Sequence, residues 1–209
     1  ASAKLSGSVN TIEFLEDGTL RGHSTDGHGF VTAVKESFGV GVADQTVFVL
    51  GSGGAGRAVA ITCADEGARR IVVSDIDAAR ADKVVEEIAA LCPDVAVSST
   101  GTDVAAWAAA AGEADLVIQA TPVGMRRDDT PLLSREAFGK GQMVFDLIYM
   151  YPETGIMSEA LAAGAKVANG LGMLLHQGAR SFEIWTGEAP DVDAMRGALE
   201  TAVYKSDRA

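Results

Sequence analysis

Short apolar runs separated by amphipathic stretches set the rhythm of the chain. The runs at 47–50 (VFVL), 71–73 (IVV), 116–118 (LVI) and 143–145 (MVF) have the length of strands buried on both faces. Weaker strand patterns stand at 95–98 and 166–168. Between them, apolar residues at helical spacing predict helices over 57–66, 78–91, 102–111, 157–163, 172–185 and 192–203, with Pro93 stopping the second of these. Strands alternating with helices imply a parallel sheet covered on both faces. Ahead of this alternation, 9–15 and 19–24 are β-prone around Glu16-Asp17-Gly18, a hairpin turn signal. A lone hairpin is unstable in water, so this one calls for a partner sheet that the sequence does not reveal. Phe30, Val31, Val34 and Phe38 share one face of a predicted helix over 26–38, ended by Gly39 and Gly41. Residues 1–5 read as a last helical turn. Residues 126–141 read as polar and irregular, with Leu132 and Leu133 as their only anchors.

The turn after the first buried run carries the strongest local signal. Gly51, Gly53 and Gly56 fit G-x-G-x-x-G between a strand and a helix, and the next strand ends at an acid, Asp75. In this context each glycine has a physical task. Gly51 permits the tight turn, Gly53 lets backbone approach a pyrophosphate, and Gly56 lets the helix pack on the strand. A pyrophosphate would lie on the unpaired N–H groups of Gly54, Ala55 and their neighbours, at the positive end of the helix dipole.

Composition narrows the classes further. With 17 basic and 29 acidic residues the formal charge is −12, which argues against nucleic acid or an anionic membrane as partner. No apolar stretch approaches the ~18 residues of a membrane span. Cys63 and Cys92 fall in or beside predicted helices, which suits a reducing compartment and a cytoplasmic location. No metal site is expected: His23 and His176, both expected near the cleft, are too far apart in sequence to read as a metal pair, and His28 reads as an exposed helix residue.

Other chemistry-bearing clusters fall where strands end, the side on which open α/β sheets bind ligands. Read together and in order, they are Ser8-Val9-Asn10-Thr11, the stretch 24–30 (STDGHGF), the stretch 51–58 (GSGGAGRA), the stretch 120–125 (ATPVGM), the segment 146–154 (DLIYMYPET), and Gly172-Met173-Leu174 with Gln177. This ordered set resembles the shikimate dehydrogenase family, including its quinate/shikimate branch. The resemblance implies an α/β, Rossmann-type doubly wound parallel sheet preceded by the last hairpin of a substrate domain. The expected divisions are a substrate-domain remnant at 1–25, a linking helix at 26–41, and a dinucleotide-binding domain at 42–209.

The resemblance also implies roles. Asp26 matches the acid of the family's catalytic pair; it would equally suit a helix cap. Asn10, Asp26, Tyr149 and Gln177 match substrate contacts, and Met173 matches a residue beside the nicotinamide. Gly51, Gly53, Gly54, Ala55, Gly56, Asp75, Thr121, Pro122, Gly170 and Met173 form the expected cofactor set. NAD is expected over NADP, because Asp75 can accept from ribose hydroxyls but would repel a 2′-phosphate, and Ile76-Asp77 supply no cation; Asp75 as cap of the next helix is the competing role. Two departures stand out. Ser24 replaces the usual Asn, and the usual Tyr-x-Pro reads Tyr149-Met150-Tyr151-Pro152, so Tyr151 competes with Tyr149.

The expected partner is a small cyclic acid of the shikimate or quinate type, and a homo-oligomer is left open. A reductase of an amino analogue and a non-catalytic dinucleotide-binding module are the alternatives. The family's catalytic lysine and substrate serines belong upstream of residue 1. The 209-residue chain alone is therefore expected to bind dinucleotide without oxidising shikimate or quinate. A dinucleotide titration beside a steady-state assay checks this; turnover at the full-length rate would mean the catalytic groups are misplaced.

Overall fold

The structure, a computed structural model, describes residues 2–204. A short helix, α1 (Ser2–Ser6), leads into a hairpin of β1 (Thr11–Phe14) and β2 (Leu20–His23), and then α2 (Asp26–Phe38). Next come β3 (Thr46–Leu50), α3 (Gly54–Asp65), β4 (Arg70–Ser74), α4 (Ala78–Leu91), β5 (Ala96–Ser99), α5 (Val104–Glu113) and β6 (Leu116–Gln119). A 3-10 turn at Arg135–Ala137 precedes β7 (Met143–Asp146), α6 (Gly155–Ala162), β8 (Lys166–Asn169), α7 (Leu171–Thr186) and α8 (Val192–Tyr204).

Six strands form one parallel sheet in the order β5-β4-β3-β6-β7-β8. The chain leaves β3 outward to one side and returns to β6 on the other. That reversal opens a crevice at the carboxyl ends of β3 and β6, as in doubly wound nucleotide-binding sheets. Alternation along β3 assigns the two faces. Val47 and Val49 join Phe30, Val34, Ile61, Ile71 and Ile88 beneath α2, α3 and α4. Phe48 and Leu50 join Trp107, Leu133 and Ile156 beneath α5 and α6.

The sequence-based reading differs from this architecture in two places. First, α3 begins three residues before Arg57, because Gly53 already serves as its N-cap and Gly54 as its first helical residue. Second, the 126–141 segment has more anchors than Leu132 and Leu133: Ala137 and Phe138 are buried in the second core, held there by the 3-10 turn.

The hairpin forms its own two-stranded sheet. Side chains, not a partner strand, hold it to the rest. The Thr11 and Ser181 hydroxyls lie 2.7 Å apart, and the Trp185 indole N–H donates to the Ile12 carbonyl. The Arg57 guanidinium donates to the Ser6 carbonyl at 2.5 Å and to Glu87, tying α1 to α3. Phe14 and Leu20 on the hairpin remain exposed.

Helices α2 and α7 cross at small residues. A Cβ placed on Gly29 would lie 2.6 Å from the Met173 carbonyl oxygen and 2.8 Å from the Gln177 amide nitrogen, and one on Gly172 would lie 3.2 Å from the Ala33 Cβ. Glycine permits this backbone approach, and no flexible side chain at the crossing can yield. Gly29→Ala is therefore expected to destabilise by about 1–3 kcal/mol in spite of alanine's better helix propensity. Urea unfolding checks this through the midpoint at constant m-value; an unchanged midpoint would show that the helices separate freely.

Candidate active site

The turn after β3 is built by packing at both ends and left open in its middle. Gly51 has a φ of 104°, and a Cβ there would lie 2.7 Å from the Ala120 carbonyl oxygen. A Cβ on Gly56 would fall 1.9 Å from the Gly51 carbonyl oxygen. Gly53 and Gly54 meet no protein atom within 4 Å of a Cβ position, and no side chain caps α3. The first-turn N–H groups at Gly54 and Ala55, both exposed, therefore stand at an open stretch of the turn, which fits a pyrophosphate.

A cavity of about 260 Å³ adjoins this turn and is lined by Gly51, Gly53, Asp75, Arg80, Thr121 and Pro122. Five of the expected cofactor positions thus converge on one volume. Trp107 closes its base, with its indole N–H donating to the Ser74 hydroxyl at 2.7 Å. Asp75 is buried. One carboxylate oxygen accepts from the Ser52 N–H at 2.8 Å and the other from the Asp77 N–H at 3.0 Å. Asp75 does not cap α4; that role falls to Asp77, which accepts from the Ala79 N–H.

The expectation that no cation stands beside the acid is corrected. Arg80, one turn into α4, reaches back to Asp75 at 3.7 Å and to Asp77 at 3.4 Å. The residues directly after the strand, Ile76 and Asp77, carry no cation, but helical spacing returns Arg80 to the same edge. Gln119 was also missed. This fully buried side chain accepts from the Thr121 N–H and donates to the carbonyls of Thr121 and Val123, so it shapes the loop after β6 from below.

A second group of residues assembles where the hairpin, α2 and α7 meet. The Asn10 amide donates to an Asp26 carboxylate oxygen at 2.9 Å. Its carbonyl oxygen accepts from the Thr25 N–H and from the hydroxyls of Thr11 and Thr25. Neither Thr25 nor Asp26 caps α2 through its side chain; the carboxylate is turned to Asn10 instead. Asp26 lies one turn before Gly29, whose contact with Met173 and Gln177 brings α7 alongside. Ser181, one turn beyond Gln177, accepts or donates to both Thr11 and Thr25 at 2.7 and 3.3 Å. Gly170 lies at the other end of α7, where a Cβ would be 2.1 Å from the Leu147 carbonyl oxygen. Gly170 and Met173 thus follow α7 and do not line the cavity beside the glycine turn.

The loop after β7 separates the two competing tyrosines. The Tyr151 hydroxyl donates to the Met125 carbonyl at 2.9 Å, and its ring lies under the Arg127 guanidinium at 4.3 Å. Tyr149 is 37% exposed, and no hydrogen bond within the described residues engages its hydroxyl. At the root of this loop Asp146 is fully buried. Burial pushes its carboxyl up to about 6, against the pull of hydrogen bonds from Thr154 and the Ile148 N–H. A folded-state pKa raised above the ordinary carboxylate value favours the fold at low pH, so this group's contribution declines as pH rises toward and through about 6.

Two histidines expected near the cleft belong to other contacts. His176 is buried against Glu36 of α2 at 3.0 Å, and Arg196 of α8 holds the other oxygen of Glu36. His23 pairs with Glu13 across the hairpin at 2.8 Å.

A family model for the shikimate 5′-dehydrogenase C-terminal domain matches residues 170–200. A shikimate dehydrogenase (NADP(+)) of Methanopyrus kandleri is 39% identical over 199 residues, covering 94% of this chain and 68% of the relative.

The chain belongs to the shikimate dehydrogenase family.

Solved members of similar shape include a shikimate 5-dehydrogenase from Listeria monocytogenes in complex with shikimate and NAD, at 33% identity and a TM-score of 0.87. It is matched over 94% of this chain and 69% of its own. A quinate dehydrogenase from Corynebacterium glutamicum in complex with NAD has 31% identity and a TM-score of 0.87, matched over 95% of this chain and 70% of its own. The loop after β7 carries two tyrosines ahead of Pro152. Tyr151, next to the proline, is committed to the loop after β6, and the Tyr149 hydroxyl has no hydrogen bond among the described residues.

Proposed function

We propose that this protein interconverts the hydroxyl and carbonyl of a shikimate- or quinate-type ring, with Asp26 in the proton path and NAD as the preferred dinucleotide. The observation that carries this reading is the Asn10–Asp26 pair, held at 2.9 Å on a helix packed against Gln177. The dinucleotide, bound over Gly53 and the first turn of α3, supplies or accepts the hydride. The chain's own residues have the remaining tasks. Asp26 exchanges a proton with the reacting oxygen, paired with the lysine that the family resemblance implies. Asn10 orients the Asp26 carboxylate and is itself available to a ring hydroxyl. Gln177 and Tyr149 contact the substrate from the cofactor side, and Met173 lies against the nicotinamide. In this reading 1–25 belongs to a substrate domain and 42–209 to the dinucleotide domain.

The dinucleotide preference rests on charge. Asp75 and Asp77 together outnumber Arg80, which both of them engage, so the ribose end of the cavity is net negative. A 2′-phosphate placed there meets like charge. The Methanopyrus relative is named for NADP(+), whereas the Listeria and Corynebacterium structures hold NAD; in this reading the acid at the strand end favours NAD in this chain. NAD is expected to bind at least about tenfold more tightly than NADP, a difference of about 1.4 kcal/mol. Isothermal calorimetry with each dinucleotide reads this directly. Equal or tighter NADP binding would contradict it and would imply that Arg80 leaves its carboxylates for the phosphate.

The reaction itself is tested by turnover of the full-length protein with shikimate and with quinate. Asp26→Asn is expected to lower kcat by about 10²–10⁴-fold while leaving dinucleotide affinity near that of the parent, since Asp26 lies outside the glycine turn. Near-normal turnover in that variant would remove Asp26 from the proton path.

A further inference from the structure

Tyr149 stands on a loop whose backbone is held from beneath by two polar side chains. Asp146 ends β7, and its carboxylate fastens the loop at both ends. One oxygen accepts from the Ile148 N–H at 3.0 Å, and the other accepts from the Thr154 hydroxyl at 2.6 Å. Asn169 ends the neighbouring strand β8 and is the register partner of Asp146. Its amide donates to the carbonyls of Tyr151 at 2.9 Å and Pro152 at 3.3 Å, while its own carbonyl oxygen accepts from the Leu171 N–H. Positions 148, 151, 152 and 154 are thereby fixed, and Tyr149 and Met150 stand between the first two of them. Thr154 is buried, with 3% exposure, so its bond to Asp146 is sheltered from water. Thr154 is also the N-cap residue of α6, yet its hydroxyl makes no cap hydrogen bond; it is directed to Asp146 instead.

Resting on the reading of Tyr149 as a substrate contact, we propose that Asp146, with Thr154 and Asn169, is the positioning device that sets Tyr149 against the substrate. A buried carboxylate is costly to keep when a neutral group of similar shape would fill the space. What the carboxylate adds here is two acceptors in fixed directions, one for each end of the loop. Among the described residues no group of opposite charge lies at bonding distance from it. Its strand neighbours are the neutral amides Gln119 and Asn169. The adjoining cavity of about 130 Å³ carries Arg126, Arg127 and Asp129 from the loop after β6, with Tyr151 and Glu153 from the loop after β7. Arg126 is paired with Asp128, and Arg127 lies over Tyr151. Asp146 therefore acts through Tyr149 and not on the reacting atoms.

The test is a double-mutant cycle in the full-length protein, with Tyr149→Phe and Thr154→Val read as KM for shikimate, kcat, and KM for NAD. Tyr149→Phe alone is expected to raise KM for shikimate about tenfold, and Thr154→Val alone about three- to tenfold, with little change in KM for NAD. The double variant is expected to be no worse than Tyr149→Phe, because two residues acting through one contact are not additive. Thr154→Ser, which keeps the hydroxyl, is expected to restore the parent KM. If Thr154→Val does not fold, Asn169→Ala takes its place in the cycle with the same expectation. Additive losses would overturn the positioning role while leaving the Tyr149 reading in place. A normal KM for Tyr149→Phe would overturn both, and the role of Asp26 would still stand on its own variant.

Discussion

The close approach of α2 and α7 at Gly29 is the constraint from which the candidate substrate wall follows. Any side chain at that position would meet the Met173 carbonyl and the Gln177 amide nitrogen, both backbone atoms. Because the helices touch there, Asp26 stands one turn from the contact on α2 and Gln177 stands at the contact on α7. The same helix α7 continues to Ser181, which bonds the hairpin through Thr11. In the other direction it begins at Gly170, pressed on the carbonyl of Leu147 in the loop that carries Tyr149. One helix of 16 residues thus relates the hairpin, the acid of α2 and the loop after β7. Rigid elements hold such constellations more accurately than loops do.

The dinucleotide side is organised by a different physical demand. Gly51 and Gly56 lack side chains because the protein's own backbone fills the space, whereas Gly53 and Gly54 face none of it. The first pair sets the turn and the second leaves room for a ligand. Asp75 is fixed between the N–H groups of Ser52 and Asp77, so its position depends on the turn and on the start of α4 together. The acid is part of the architecture of the turn as well as a candidate ribose contact.

Much of this was legible in the sequence because it is local. Helix α2 at Asp26–Phe38, the strand Met143–Asp146 and helix α4 at Ala78–Leu91 follow from period and punctuation. The glycine triad followed by a strand-end acid located the cavity that Gly51, Gly53, Asp75, Thr121 and Pro122 now line. What escaped was contact between segments distant in sequence. Gly29 sits inside an ordinary helical pattern, and only α7 explains it. Arg80 is the exception, a local contact: the helix predicted over 78–91 already returns it toward Asp75. Gln119 and Asp146 are polar residues at strand ends, and their burial depends on loops whose course no local pattern specifies. Phe138 was passed over because its segment is polar in composition and its anchoring comes from the second core.

The proposed substrate site is one wall, set by the α2–α7 contact, that presents Asp26, Asn10, Gln177 and Tyr149 to a single substrate. A crystal structure of the full-length protein with shikimate and NADH bound tests it most directly. The expected result places the Asp26 carboxylate and the Gln177 amide each within about 3 Å of a substrate oxygen, with the helices crossing at Gly29 as they do here. Shikimate bound away from this wall, with the Asp26 carboxylate still bonded only to Asn10, would contradict the account.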